Sequence, residues 1–320
     1  MGYHPRIEST KIATFQTTRS RCSELWFVNN NKLEQAILGY LAKYRARYGV
    51  HLYAFAIEGN HIQFPALFPN ANRAHFMRDL NSSIARAVPR YQRAHPGGKF
   101  WARRYSAEYL PASDDIEEQF FYTVLQTVQD GLVDDISHYP GYNCFEDAVT
   151  GNKRQFKVVR WKEYNDARRW NRAVSIEQFT DVVELSYQRL PGYEHLSQAE
   201  YADVMRKKLA DRTAQILGER GGKRCVGRKA LKRVRPGSRP RHSKTSTIDD
   251  HRSRVLSKNH ARRARGNAWY FSIYFAFREA SSEYRAGKLD AVFPPGTFRP
   301  PVFTVKHCEP MFDGPQWCTN

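Results

Sequence analysis

A turn between two apolar runs restricts the fold of this chain more than any other feature. Residues 50–58 and 62–68 have the composition of β-strands, and Gly59-Asn60 lies between them. A short turn of this kind joins neighbouring strands as an antiparallel hairpin. Pro65 lacks the amide hydrogen that an inner strand needs, so we expect the second strand at a sheet edge or at a bulge.

The patterns around this hairpin predict an α+β domain. Residues 31–49 place apolar side chains at helical spacing and end in glycine, which is typical of a complete helix. Ser113 fits the N-cap of a later helix, and Gly131 fits its end. The predicted strands are 11–19, 50–58, 62–68 and 97–110, and the predicted helices are 31–49, 70–88 and 113–131. The order β-α-β-β-α-β-α predicts an antiparallel sheet with packed helices over residues 1–150.

Three further segments follow this domain. Residues 151–217 are predicted to be mostly helical. Residues 218–266 are rich in arginine, glycine, proline and serine, and we expect a basic, flexible segment that binds nucleic acid. Residues 267–320 are predicted to form a helix and a proline-rich tail.

Positive charge is concentrated in one block. The whole chain of 320 residues carries a net charge of +19, and residues 206–265 hold 21 lysines and arginines against 4 acidic residues. Such an asymmetry points to a polyanionic partner, and nucleic acid is the commonest one. A merely solvated basic surface is the alternative.

Other classes of protein find little support in the composition. No apolar run reaches the length of a membrane span, and the first residues lack the apolar segment of a secretory signal. The five cysteines are scattered without a CxxC pair, which supports neither a disulfide framework nor a zinc site. They are Cys22, Cys144, Cys225, Cys308 and Cys318. A reducing cytoplasm is the expected location.

Four polar side chains can meet on this scaffold. His61 and Gln63 are two apart on a strand, so they point to the same face. Tyr122 and Gln126 are four apart on a helix, so they lie one turn from each other. An imidazole and carboxamide oxygens can hold Mg²⁺ or Mn²⁺, and a phenol beside the cation can attack a phosphodiester. From these residues alone, a structural histidine in a basic nucleic-acid-binding protein is the simpler interpretation.

A set of motifs changes this balance. The segments are GNHIQ, HFMRDLNSSIAR, FWARRYSAEYL, YTVLQTVQDGLV and HYPGY, in this order within residues 11–147. They resemble the REP-associated tyrosine transposases and related single-tyrosine HUH transposases. The resemblance implies a ferredoxin-like antiparallel sheet with packed helices, the HUH endonuclease fold, followed here by a helical and basic C-terminal extension.

The resemblance also implies roles for the four polar residues. His61 matches the first metal-binding histidine, and Gln126 matches a third metal ligand. Tyr122 matches the nucleophile that forms a 5′-phosphotyrosine link to single-stranded DNA. The implied activity is nicking and rejoining of single-stranded or hairpin DNA with Mg²⁺ or Mn²⁺. No membrane partner is implied, a homodimer is a possible form, and the location is the cytoplasm of a bacterium, at the nucleoid.

Three positions depart from the family pattern. Gln63 replaces the second histidine, Glu58-Gly59 replaces Met-Pro, and Gln126-Thr127 replaces Asn-Pro. A glutamine at the second position also occurs in replication initiators of some small circular-DNA viruses. The resemblance therefore implies that Gln63 can still bind a metal through its amide oxygen. Because the site is altered, a decayed or domesticated copy that binds DNA or RNA without cutting it is the alternative. A replication or mobilisation relaxase is another and differs mainly in substrate.

Basic and aromatic residues supply the expected DNA contacts. Lys99 to Arg104 mix charges with aromatic rings, as single-strand binding requires, although a half-buried strand would show the same pattern. The candidates are Arg78, Lys99, Trp101, Arg103, Arg104, Arg224, Arg228, Lys229, Lys232, Arg233 and Arg235.

Overall fold

The protein is represented by a computed structural model that describes residues 4–240 and 254–300. It divides into a larger unit, residues 8–268, and a smaller unit formed by residues 1–7 and 269–320.

A five-stranded antiparallel sheet forms the centre of the larger unit. Its strands are β1 (Ala13–Arg19), β2 (His51–Leu52), β3 (Ala56–Glu58), β4 (His61–Leu67) and β5 (Ser106–Leu110). The strand order is β2-β4-β1-β5, and β3 also pairs with β4. The predicted class, α+β with an antiparallel sheet and packed helices, is confirmed.

Strand β4 is central, which differs from the edge position expected for Pro65. It pairs with β1 on one side and with both β2 and β3 on the other. Pro65 lies opposite the interruption between β2 and β3, where Tyr53 donates its amide hydrogen to the Pro65 carbonyl. The missing amide hydrogen is therefore accommodated by a break in the neighbouring strand.

The helices of the larger unit follow the strands in the predicted order. They are α1 (Asn31–Tyr48), α2 (Arg73–Tyr91), α3 (Ser113–Gln129), α4 (Phe145–Thr150), α5 (Trp161–Trp170), α6 (Gln198–Arg220), α7 (Arg228–Leu231) and the first part of α8 (His260–Arg285). Asn30 caps α1 by accepting a hydrogen bond from the Leu33 amide, and Gly49 ends it in the left-handed conformation.

The two faces of the sheet carry different side chains. Ile62 and Phe64 are fully buried on one face, where the Phe64 ring lies 5.9 Å from that of Phe76 in α2. His61 and Gln63 alternate with them and point to the other face, which helix α3 covers. One face is therefore the apolar core, and the opposite face is free to carry polar chemistry.

Local differences from the predicted elements have identifiable causes. Gly97 and Gly98 both have positive φ angles, so the expected long strand shortens to β5, and Trp101 forms only an isolated bridge with Ser20. Helix α2 continues past Pro89 to Tyr91, because the Gln92 amide still donates to Val88. Helix α3 begins at Ser113, so Ala112 is its N-cap.

The segment predicted to be mostly helical also contains a two-stranded antiparallel sheet. Strands β6 (Arg154–Val159) and β7 (Thr180–Leu185) pair antiparallel and pack on α1. A Cβ atom at Gly39 would lie 2.8 Å from Val158, so the absence of a side chain there lets α1 approach β6 closely. Helix α5 connects the two strands.

The described part of the basic block follows a defined path. Residues 223–239, called here the basic strap, are held by backbone hydrogen bonds at both ends. Further along, Val255 adds a parallel bridge to Tyr109 at the outer edge of β5. Residues 241–253 of the block expected to be flexible lie outside the described residues.

The smaller unit contains the rest of α8, which agrees with the predicted helix. His4 bonds to the Tyr270 hydroxyl at 3.1 Å and stacks on Tyr274. Phe293 packs edge-on against Phe277 and Tyr284, where the proline-rich segment follows the helix. The final residues of the predicted tail, 301–320, lie outside the described residues. Within the described ranges, every helix is too short or too polar to span a bilayer.

Candidate functional site

The strand face opposite the apolar core places His61 and Gln63 under helix α3. The register pairs Thr17 with Gln63 and Arg19 with His61 across β1 and β4. Glu58 pairs with His61 on the other side, across β3. Residues directly opposite each other point to the same face, so these five side chains share the surface below α3.

Helix α3 carries a second set of polar side chains that face this surface. Tyr122, Gln126 and Asp130 follow each other at intervals of four, which places them in a column along one side of the helix. Tyr122 is 37% exposed, and its ring packs edge-on against Phe15 of β1 with the centroids 5.8 Å apart. Gln126 lies deeper and is buried.

The three predicted metal ligands come together. The Gln63 amide nitrogen donates a hydrogen bond to the Gln126 amide oxygen. The Gln126 nitrogen lies 3.4 Å from Nε2 of His61 and 3.4 Å from a carboxylate oxygen of Asp130. Strand β4 and helix α3 thus meet through the side chains of two glutamines that are 63 residues apart in sequence.

Asn60 fixes the orientation of the histidine. Its side-chain oxygen lies 2.8 Å from Nδ1 of His61, which assigns the ring proton to Nδ1 and leaves the Nε2 lone pair facing Gln126. Burial and the positive charge of Arg19 lower the pKa of His61 to about 3. The imidazole is therefore neutral at physiological pH, which is the form that binds metals.

Glu58 adds a buried acid beside the ligands. Burial, reinforced by the negative charge of Asp130, raises the pKa of its carboxyl to about 8. Burial together with the charge of Glu58 also raises the pKa of Tyr139. At neutral pH the Glu58 carboxyl thus holds its proton, so it contributes little charge to the site.

The donor set fits a weakly held, hard divalent cation. It comprises one imidazole nitrogen and two amide oxygens, with Asp130 as the adjacent negative charge. Rotating the two amide groups would turn their oxygens toward the cation, at the cost of the hydrogen bond between them. Within the described residues, no three His, Cys, Asp or Glu side chains are grouped to hold a metal, so the glutamines are essential to such a site.

The predicted DNA-binding residues fall into three places. Lys99, Arg103 and Arg104 are exposed on a loop whose Ala102 amide donates to Arg19, beside His61. Trp101 is half-buried against Phe100, and its indole nitrogen donates to Asn81. The prediction that Trp101 stacks on a base needs an exposed ring, but here the ring packs partly into the protein.

The basic strap runs beside the site. At one end, Val226 and Gly227 donate to the carbonyls of Gly131 and Leu132, next to Asp130. At the other, Gly237 donates to Leu25, whose side chain contacts the Gly59 turn. Arg224, Arg228, Lys229, Lys232, Arg233 and Arg235 are all exposed on this strap.

Arg78 is separate from these groups. It lies on α2, which packs on the opposite face of the sheet, and it pairs with Asp79 at 2.8 Å. The structure therefore brings the loop and the strap to the site and leaves Arg78 away from it.

Sequence reasoning missed four residues of the site, namely Glu58, Asn60, Asp130 and Arg19. Asp130 continues the spacing of Tyr122 and Gln126 by one more turn, and Asn60 directly precedes the histidine. Both signals are visible in the sequence. Glu58 and Arg19 are identified only by strand register.

Comparisons with known proteins give limited results. No family model and no curated protein matches this chain. Among solved structures, the chain is similar to one described as a REP-associated tyrosine transposase bound to a REP hairpin. The two share 15% sequence identity with a TM-score of 0.37, over 46% of this chain and 84% of that chain. A likeness of this degree assigns no role to any residue here.

Proposed function

We propose that this protein nicks and rejoins single-stranded DNA as a metal-dependent transposase of the single-tyrosine HUH type. The observation that carries the proposal is the convergence of His61, Gln63 and Gln126 beneath the helix that presents Tyr122. The motif resemblance in the sequence concerns these same positions.

Each residue has a distinct task in this reaction. Asn60 keeps the His61 lone pair directed into the site, and His61, Gln63 and Gln126 would hold Mg²⁺ or Mn²⁺. When bound, the cation neutralises charge on the scissile phosphate. Tyr122 is exposed enough to reach DNA, while its contact with Phe15 limits the movement of its ring.

The proposed chemistry is a transesterification. The Tyr122 oxygen attacks phosphorus and loses its proton, the bond from phosphorus to the 3′ oxygen breaks, and the 3′ oxygen leaves as a hydroxyl. The 5′ end stays attached to Tyr122 as a phosphotyrosine. Attack by a 3′ hydroxyl reverses these steps and rejoins the strand, so no external energy source is needed.

Hairpin or repeat DNA is the proposed substrate. Lys99, Arg103 and Arg104 flank the His61 side of the site, and the basic strap flanks the end of α3. Exposed cations on two sides suit a backbone that enters and leaves the site.

A second candidate is a DNA- or RNA-binding protein without catalysis. The hydrogen bond between Gln63 and Gln126 favours it, because the two amides satisfy each other and the Gln126 nitrogen faces His61. In this case the polar network would join strand to helix, and the basic strap alone would bind nucleic acid.

A covalent-adduct assay separates the two candidates. The protein is incubated with labelled single-stranded hairpin DNA and Mg²⁺ or Mn²⁺, and adducts are resolved on a denaturing gel. We expect an adduct that disappears in Tyr122→Phe, while that variant keeps its DNA affinity. The absence of an adduct with any divalent metal on repeat hairpins, despite measurable binding, would support the second candidate.

A further inference from the structure

Helix α5 presents a tryptophan that the fold does not use. Trp170, its last residue, is 91% exposed. The helix is anchored elsewhere, because the Tyr164 ring packs 6.0 Å from Phe179 and Trp161 lies under the Arg90 guanidinium at 3.9 Å. A large aromatic ring with this exposure costs solvation and contributes nothing to the packing of the helix.

Excess positive charge surrounds this ring. Residues 160–172, called here the α5 arm, contain five basic and two acidic residues. Arg169 pairs with Asp166, and Arg160 pairs with Glu163. No carboxylate of the described residues lies within ion-pair distance of Lys162, Arg168 or Arg172, and all three are exposed.

This combination fits single-stranded nucleic acid better than a protein surface. A base can stack on the indole while the exposed guanidinium groups contact the flanking phosphates. A second copy of this chain would bring further positive charge against the same cations, since the whole protein carries +19. The charge on the arm therefore favours a polyanion.

The arm is connected to the candidate site by a series of contacts. Gly59, beside His61, accepts a hydrogen bond from the Phe27 amide. The Asn29 side chain of the same loop donates to Leu231 and Val234 of the basic strap. Next along the loop, the Asn30 side chain donates to Tyr91 at the end of α2, where Arg90 covers Trp161 of the arm.

We propose that the α5 arm is a second contact for single-stranded nucleic acid, in which Trp170 stacks on an unpaired base. The strand would run from the His61 site over the basic strap to the arm. This inference rests on the proposed DNA-binding function, but it does not require Tyr122 chemistry. Ten residues of helix carry Trp170 about 14 Å beyond Trp161, so only a strand longer than the site itself reaches it.

Binding measured against oligonucleotide length tests the arm. Fluorescence anisotropy would compare single-stranded DNA of about 8 and about 25 nucleotides. We expect Trp170→Ala to weaken binding of the long strand about tenfold, as stacking predicts, and to leave the short strand unchanged. Trp170→Phe should restore most of the loss, because it keeps an aromatic face.

Two controls keep this result specific. Phe275→Ala removes an exposed aromatic ring, 58% accessible, from helix α8 and should affect neither strand. Arg168→Gln with Arg172→Gln should lower the slope of log affinity against log salt for the long strand by about 1.4, since each lost phosphate contact is worth about 0.7 for single strands. Trp170 is almost fully exposed, so its variants should keep the thermal stability of the wild type.

The outcomes separate this inference from the proposed enzyme. Equal affinities of wild type and Trp170→Ala for the long strand would overturn it, as would a change in sedimentation that marks the arm as a protein interface. A lost length effect without any covalent adduct would uphold the arm and reject the transesterase. An absence of nucleic-acid binding would reject both.

Discussion

Gln63 of strand β4 donates a side-chain hydrogen bond to Gln126 of helix α3, and this bond joins the floor of the candidate site to its roof. The same two amides are the oxygen donors that a cation would need. The bond engages the Gln126 oxygen and the Gln63 nitrogen, so a cation that took both amide oxygens would have to break it. We therefore expect the affinity of the proposed metal site to be low.

Replacing Gln63 by histidine should relieve this competition. An imidazole is a stronger ligand than an amide oxygen, so we expect Gln63→His to lower the Mn²⁺ concentration at half-maximal adduct formation, while the adduct yield persists or rises. Gln63→Leu, which has no donor atom, should abolish the metal response. If both variants titrate like the wild type, Gln63 is not a ligand.

Asn60 should control metal affinity without touching the metal. Its side-chain oxygen selects the ring tautomer of His61, and loss of such a partner typically weakens a metal site about 10- to 100-fold. We expect Asn60→Ala to show this loss in calorimetric titration with Mn²⁺, and Asn60→Asp to show little of it. An unchanged affinity in Asn60→Ala would mean that the tautomer is set elsewhere.

Glu58 should make the protein less stable as pH rises. Its carboxyl ionises near 4.5 in the unfolded chain and near 8 when folded. Between these values the folded state binds more protons, so the free energy of unfolding decreases with pH. Glu58→Gln removes this dependence. Above pH 6 its thermal midpoint should exceed that of the wild type, and at pH 8 its free energy of unfolding should be larger by an amount on the order of a few kcal/mol.

The matched control for this prediction is Glu219→Gln, at an exposed position on α6. Its midpoint should follow the wild type at every pH. A Glu58→Gln profile parallel to that of the wild type between pH 4.5 and 8 would contradict the buried, protonated carboxyl.

The basic strap should determine the salt dependence of DNA binding. Each lost phosphate contact reduces the slope of log affinity against log salt by about 0.7 for single strands. Lys229→Gln combined with Lys232→Gln should therefore lower the slope by about 1.4. Lys11→Gln, on the segment before β1, serves as the control. A slope that does not change in the strap variant would place the DNA elsewhere.

Phe64 should be the most sensitive position tested for stability. It is fully buried, with Phe55 at 5.6 Å and Phe76 at 5.9 Å between ring centroids. Phe64→Ala leaves a cavity in this cluster and should cost about 3–5 kcal/mol in urea denaturation. Val182→Ala, at a position 61% exposed, should stay within about 0.5 kcal/mol of the wild type. A small loss in Phe64→Ala would indicate that the cluster can collapse around the cavity.

The site was accessible to sequence reasoning because its spacing is local. Strand alternation puts His61 and Gln63 on one face, and helical periodicity puts Tyr122 and Gln126 on another. That the two faces meet followed from the resemblance of the motifs. The polarity of the strand face was visible, but the pairing of Glu58 and Arg19 with His61 depends on register.

Other parts had no local signal. The bridge between Val255 and Tyr109 joins residues far apart in a block whose composition suggested flexibility. The two-stranded sheet β6–β7 was missed because its short strands are separated by the α5 helix and carry charges on the outer face. Pro65 suggested an edge strand because the interruption between β2 and β3 that accommodates it cannot be inferred from Pro65 alone.

The bridge between Val255 and Tyr109 forms only late during synthesis on the ribosome. Tyr109 and the rest of β5 emerge 146 residues before the segment that covers their outer edge. At 5–20 residues per second, this interval is roughly 7–30 s. During that time the outer edge of β5 at Tyr109 lacks this partner, so a chaperone that binds extended segments would have an opportunity to bind there.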